Sequence, residues 1–180
     1  MIVLAHPTGN TFFRAAARSF YSRGWLQELH SSLCWDPSSP WSRLLPASLA
    51  TQLERRAFPE VPLSLQRSYP WREVLRLALP GRAFPSLQRH ESGPLSVDGI
   101  YRSFDRHVAR RLRVLSSVKA VYAYEDSALQ CFRVARSRGV RCVYDLPIGH
   151  WRAARQIFSE ERELLPAWSS TLTGLADSDA

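Results

Sequence analysis

The spacing of apolar residues changes period along this chain, most clearly over residues 119–151, KAVYAYEDSALQCFRVARSRGVRCVYDLPIGHW. Residues 119–124 are a short β-rich run of buried-strand length. Over 127–138 the spacing turns helical: Ala128, Leu129, Phe132 and Ala135 share one face, and Arg133, Arg136 and Arg138 fall off it. Glu125 and Asp126 stand where that helix begins, with Asp126 its expected N-cap and both charges suited to the positive end of the dipole. Gly139 stops the helix, residues 140–144 are a second β-rich run, and Asp145, Pro147 and Gly149 open a loop before a helix near Trp151. Such a unit predicts parallel strands joined right-handedly. The Tyr-Glu-Asp at the end of one strand and DLPIGHW at the end of the next then share the carboxyl edge, where open α/β sheets bind ligands.

The amino end repeats the pattern. Residues 2–5 predict a strand, HPTGN a turn, and TFFRAAARSFYSRG a helix capped by Asn10 or Thr11, with Phe13, Ala16, Ala17 and Phe20 facing inward and Gly24 as its stop. Residues 25–33 predict another strand. Over 36–97 the pattern loosens, and nine of the chain's twelve prolines lie there. Helices at 47–56 and 71–79 fit between them, each with a proline just ahead of its first turn. The segment is too rich in Trp, Leu and Arg for a disordered linker, so it is expected as a helical insertion packed beside the sheet. Asp98 is the expected cap of a long helix, 99–117, striped by Ile100, Phe104, Val108, Leu112 and Leu115, with His107 a structural residue beside the stripe. Residues 152–165 predict a last helix with a solvated, charged face.

These elements describe an α/β fold: a Rossmann-like parallel sheet with flanking helices and a proline-rich helical insertion, residues 1–180 forming one domain. Four strands are fewer than a doubly wound sheet usually carries, and 177–180 adds no closing element. The reading therefore expects the front part of a longer polypeptide.

Composition narrows the chemistry. A chain of 180 residues, 45% of them hydrophobic, fills the core of one domain. It has no run of about 18 apolar residues, and its amino end lacks the basic flank and apolar segment of an export signal, so the expected location is cytoplasmic. Cys34, Cys131 and Cys142 are an odd number without a close pair, which argues against a disulfide framework and a zinc site and for buried thiols. HPTGN matches neither the dinucleotide fingerprint nor the P-loop, and no G-x-S-x-G elbow is present. It is either a turn whose His6 side chain and backbone N–H groups face the ligand edge, or a tight connection with His6 hydrogen-bonded locally.

The net charge is +8, and Lys119 is the only lysine among 24 basic residues. This describes a solvated basic surface, or one that attracts phosphate-bearing ligands or anionic lipid. The arginines are scattered through helices rather than gathered in one tract, which disfavours nucleic acid as a partner and leaves peripheral contact with an anionic membrane.

HPTGN followed by FFRAA, the ERRA segment, REVLRLAL, SVDGIYRSFDRHVA, VYAYEDSAL, VYDLPIGHWRAAR and EERELLPAWSSTLTGLADS together resemble the amino-terminal half of a bacterial family 4 glycosyltransferase. The resemblance covers essentially the whole chain, and YAYEDSAL and YDLPIGHW are its most specific parts. It implies a GT-B architecture: two Rossmann-like domains across a cleft, retaining transfer from a nucleotide-sugar co-substrate, no further cofactor and no metal. The amino-terminal domain would bind the sugar acceptor, and a second domain, expected to be missing from these residues, would hold the nucleotide-sugar, so these residues would be inactive by themselves. The resemblance puts Tyr124, Glu125 and Asp126 at the reacting centre. It puts Tyr122, Asp145, His150 and Trp151 at the acceptor, and His6, Thr8, Gly9 and Asn10 in a turn facing the donor diphosphate. Relatives carry histidines near the places of Tyr122 and Tyr124. Carboxylates accept from sugar hydroxyls and tyrosine rings stack on sugar faces, which suits these roles. For Glu125 and Asp126 plain helix capping is the alternative. For the whole chain the alternative is a non-catalytic α/β module whose basic surface binds nucleic acid or anionic ligands.

Overall fold

A computed structural model of the chain describes residues 1–40, 47–79, 84–147 and 149–171, with the side chains of 47–49 left aside. Expectations resting on Pro46, Pro80 and 177–180 lie outside the described residues. The chain forms two compact units, Met1–Asp145 and Leu146–Ala180.

In the first unit, β1 (Ile2–Ala5), β2 (Leu26–Ser31), β3 (Gln66–Ser68), β4 (Ala120–Tyr124) and β5 (Arg141–Asp145) make one all-parallel sheet in the order β3-β2-β1-β4-β5. The helices are α1 (Thr11–Ser22), α2 (Ala47–Glu54), α3 (Trp71–Ala78), α4 (Val97–Val114) and α5 (Leu129–Ser137). This is the expected Rossmann-like α/β arrangement. The second unit holds α6 (Trp151–Leu164) and a 3₁₀ turn, Pro166–Thr171. No helix among the described residues is long and apolar enough to cross a membrane.

Strand residues alternate between the two faces of the sheet. Leu4, Leu26 and Leu29 meet Phe13 and Ala17 of α1, with Phe58 and Val61 behind them. Val3, Ala5, Val121 and Ala123 meet Phe104, Val108 and Leu112 of α4 and Cys131 and Ala135 of α5. Asn10 caps α1 by accepting from the Phe13 amide at 2.7 Å, and Gly24 (φ 67°) ends its turn.

Four local expectations are corrected. The segment 36–97 is not purely helical, because its Gln66–Ser68 pairs with β2 as an edge strand. Those three residues are polar and carry no alternating signal. The Gln66 amide donates to the Phe58 and Val61 carbonyls at 3.0 and 2.8 Å, which fixes the strand from its side chain. Asp126 does not cap α5. Residues Glu125–Ser127 form a 3₁₀ turn instead, and the buried Asp105 of α4 accepts from the Gln130 and Cys131 amides at 2.6 and 2.8 Å. Ser96, not Asp98, caps α4, accepting from the Gly99 amide at 3.0 Å. All three cysteines are free, but only Cys131 is fully buried.

The α4 face of β2 also holds charge. Glu28 is 3% exposed and is clasped by Arg111 (2.6 Å), Arg67 (3.0 Å) and His30 Nε2 (3.1 Å). His30 Nδ1 meets the Tyr69 hydroxyl at 3.1 Å. His107 packs tilted against Tyr69 at 4.7 Å and bonds the Ser103 carbonyl at 2.7 Å, the structural role expected of it.

Candidate functional site at the carboxyl edge

β1 has β2 on one side and β4 on the other, and the helices that follow β1 and β4 cover opposite faces of the sheet. The chain therefore diverges between the carboxyl ends of β1 and β4, which opens the crevice where sheets of this kind take ligands. Two loops flank it: 6–10 after β1 and 125–128 after β4.

The first loop is held by its own histidine. The Thr8 and Gly9 amides donate to His6 Nδ1 at 3.2 and 2.8 Å, and Asn10 is used as the α1 cap. Of the two readings of HPTGN, the hydrogen bonds follow the local one. Gly9 has φ 76°, and a Cβ there would come within 2.6 Å of the Phe58 ring, so only glycine fits. Because Nδ1 accepts, the His6 proton sits on Nε2, a buried donor with no partner among the described residues. Burial lowers the His6 pKa to about 4, so the ring is neutral and Nε2 stays a donor at neutral pH.

His6 packs against Tyr124, tilted, with ring centroids 4.2 Å apart, and Tyr101 of α4 stands edge-on to Tyr124 at 6.4 Å. The Tyr101 phenol is hydrogen-bonded to the Thr8 side chain and lies in the field of Asp126, Glu73 and Arg56. Glu73, 3% exposed, is held by Arg56 at 2.6 Å and Arg76 at 2.9 Å. Burial pushes its carboxyl up, but the Arg76 hydrogen bond and both guanidinium charges outweigh this and hold it below the usual range. Arg56 Nη1 is buried without a partner among the described residues.

Along the ends of β4 and β5, carboxylates and phenols interleave. Tyr122 and Tyr124 alternate with buried Val121 and Ala123, so they share the α1 face. Burial raises the Tyr122 phenol to about 12, helped by Asp145. Burial and the charges of Asp126 and Glu125 raise Tyr124 further, and the same causes raise Tyr144. Burial and the neighbouring Asp126 also raise the Glu125 carboxyl. Glu125 Oε1 and Asp145 Oδ2 are buried acceptors without partners among the described residues. A cavity of about 420 Å³ opens here, lined by Glu125, Leu129, Phe132, Arg133, Arg136 and Tyr144.

The fold thus brings His6 against Tyr124 and Thr8 against Tyr101, leaves Gly9 beside Phe58 and Asn10 as the α1 cap, and gathers Tyr122, Tyr124, Glu125, Asp126 and Asp145 along one edge. His150 and Trp151 belong to the second unit. There His150 caps α6, its Nδ1 accepting from the Arg152 amide at 3.3 Å, and stacks on Trp151 at 5.8 Å. The Trp151 ring is flanked by the guanidinium groups of Arg152 and Arg155 at 5.1 and 5.8 Å.

Sequence reasoning missed Tyr101, Arg56 and Glu73. The signal for Tyr101 was its place in the first turns of α4, since a helix feeding a parallel strand starts at the carboxyl edge. Arg56 and Glu73 stand in the ERRA and REVLRLAL segments of the resemblance, but nothing in their local pattern assigned them to the site, because only the fold brings them to that edge. Among the described residues no group of three or more His, Cys, Asp or Glu side chains could hold a metal ion. The edge offers neutral donors, carboxylate acceptors and aromatic faces, which is the equipment for a hydroxyl-rich ligand. Comparison with protein-family models, curated proteins and solved structures finds no match to this chain.

Proposed function

We propose that this chain is the acceptor-binding domain of a nucleotide-sugar-dependent glycosyltransferase. The observation that carries the reading is the cluster at the carboxyl edge: Tyr101, Tyr122, Tyr124 and Tyr144 interleaved with Glu125, Asp126 and Asp145, with the His6 donor, unpartnered among the described residues, against Tyr124 and an open cavity lined in part by Glu125 and Tyr144. A sugar presents hydroxyls in several directions and two apolar faces, so its recognition needs this mixture of carboxylates and rings. HPTGN and YAYEDSAL, two segments of the glycosyltransferase resemblance, are also the two loops that flank the crevice.

In this reading Tyr124 provides a stacking face and a phenol donor, and Glu125, with its raised pKa, shares a proton with an acceptor hydroxyl. Asp145 and Tyr122 fix neighbouring hydroxyls. The donor sugar arrives on a second Rossmann-like domain, and transfer requires both.

Binding of the 180-residue chain to an immobilised glycan array tests this. A defined set of glycans should be retained and lost in Tyr124→Ala and Glu125→Gln, both checked for folding by circular dichroism. Absence of glycan binding, or binding untouched by either variant, would refute the reading.

A further inference from the structure

The longest helix of the first unit has a uniform outer face. At 100° per residue, Arg102, Arg106, Arg110 and Arg113 fall within an arc of about 80°, and all four are exposed. The only other residue in that arc is Gly99, which is covered by the 93–94 backbone. The rest of the helix is buried or half-buried apart from Val97, Val114 and the row itself. The row runs about 16 Å along the axis. Beside it on the same side of the sheet lies α5, whose exposed positions include Arg133, Arg136 and Leu129.

No carboxylate on either helix pairs with these charges among the described residues. Asp98 and Asp105 are the carboxylates on the two helices, and both look inward or along the chain: Asp105 holds the α5 amides and Asp98 accepts from the Glu91 amide at 3.0 Å. Arg102 donates to the Glu91 carbonyl. Among the described residues, Arg106, Arg110, Arg113, Arg133 and Arg136 make no ion pair. Holding this much like charge on one layer is a standing repulsion that a negative surface relieves.

The shape selects the partner. α4 is packed along its length against the sheet and α5 and exposes a single side, so it is not a free helix offered to a nucleic-acid groove. The outward positions of both helices carry no aromatic ring for base stacking. The exposed apolar residues Val114, last in α4 at 70%, and Leu129, first in α5 at 59%, suit the interfacial zone of a bilayer. We propose that the α4 and α5 layer is a peripheral docking face for an anionic lipid bilayer. The inference stands on exposure and charge and does not rest on the carbohydrate reading.

Co-sedimentation of the full chain with phosphatidylcholine vesicles, with and without about 30 mol% phosphatidylserine, tests it. The chain should pellet with the anionic vesicles and be released as salt rises from about 50 to about 500 mM. Arg106→Glu with Arg110→Glu should weaken partition by roughly tenfold or more, since each basic residue near the surface is worth about fivefold. Arg18→Glu with Arg55→Glu, an equal charge change at exposed positions elsewhere, should cost less than about threefold. No excess binding to anionic vesicles, or equal losses in the two double variants, would overturn the proposal. So would binding to a duplex of about 20 base pairs that exceeds vesicle binding and is abolished by the α4 pair, which would make the layer a nucleic-acid face.

Discussion

Arginines on this molecule behave in two ways, according to whether the chain itself offers an acceptor. Within the fold they are consumed. Arg67 and Arg111 close on Glu28, Arg56 and Arg76 close on Glu73, and Arg14 donates to the Ala57 and Arg55 carbonyls at 2.6 and 2.8 Å with its guanidinium 4.5 Å above Phe58. On the outside of α4 and α5 the same side chain finds no carboxylate among the described residues. The paired arginines hold separate elements together: Arg14 fastens the segment after α2 to α1, and Arg111 fastens α4 to β2. Of the outward row only Arg102 makes such a contact among the described residues, to the Glu91 carbonyl. A formal charge of +8 therefore splits into a structural part and a part left for a partner, and substitutions should separate the two.

Removing the partner of a buried pair gives the largest effect. Glu28→Ala strands Arg67, Arg111 and the buried His30 around an empty site and should cost about 3–5 kcal/mol, read from the denaturant midpoint. Glu28→Gln should cost less, because the amide oxygen still accepts one guanidinium. A loss below about 1 kcal/mol for Glu28→Ala would mean that the pair is no more structural than the outer row.

Acid should act on two buried sites, the Glu28 network and His6, in separate windows. Burial pushes the Glu28 carboxyl up, but hydrogen bonds from His30 and Arg111 and the nearby positive charges outweigh it and bring it to about 2, against 4.5 in the unfolded chain. A depressed carboxylate stabilises above its unfolded pKa, so this contribution is complete above pH 4.5 and is lost as pH falls towards 2. His6, lowered by burial from 6.5 to about 4, works in the window above: the unfolded chain takes up the proton first, so stability declines as pH falls from 6.5 to 4. His30, also lowered by burial, adds to that window. The Glu28 and His6 contributions are each worth on the order of 3 kcal/mol. Glu28→Gln should flatten the lower limb and His6→Gln should flatten part of the upper one, whatever either does to absolute stability. A stability curve with one limb, unchanged in both variants, would break the assignment.

Legibility in the sequence follows the same division. The β1–α1 and β4–α5–β5 units were readable because their apolar residues keep one period and their glycines stop the helices. β3 was not, since a three-residue edge strand of Gln, Arg and Ser needs only one neighbour and buries no alternating row. Asp126 was the obvious local cap for α5, but the carboxylate that serves comes from Asp105, a turn of α4 brought there only by packing. At the site, the edge position of Tyr122, Tyr124, Glu125 and Asp145 followed from the βαβ rule, while Arg56 and Glu73 reach it through α2 and α3. The outer row was written at spacings of four, four and three, yet read along the chain it passed for scatter. Charge has to be projected on a helix before it can be called dispersed.

Arg14→Ala tests the middle of the scale. It loses two carbonyl hydrogen bonds, the 3.2 Å pair with Glu60 and the stacking on Phe58, and should cost about 1–3 kcal/mol. Denaturation of the Arg14→Lys variant sharpens the result. An ammonium cannot span two carbonyls and a ring together, so Lys should recover less than half of the loss.

The smallest effect is the most discriminating. Arg106→Glu with Arg110→Glu reverses two charges on the outer row, and because neither side chain is buried or paired among the described residues, unfolding should move by no more than about 0.5 kcal/mol. The sign should be stabilising, since the native row has three repulsive neighbours at spacings of four, four and three, whereas the variant has two attractive ones, to Arg102 and to Arg113, and one repulsion between positions 106 and 110. A folded protein that gains stability as this row loses its charge is carrying arginines that folding does not need. A clear loss of stability in the same variant would place Arg106 and Arg110 with Arg67 and Arg111, among the arginines the fold consumes, and remove the ground for giving that face a partner.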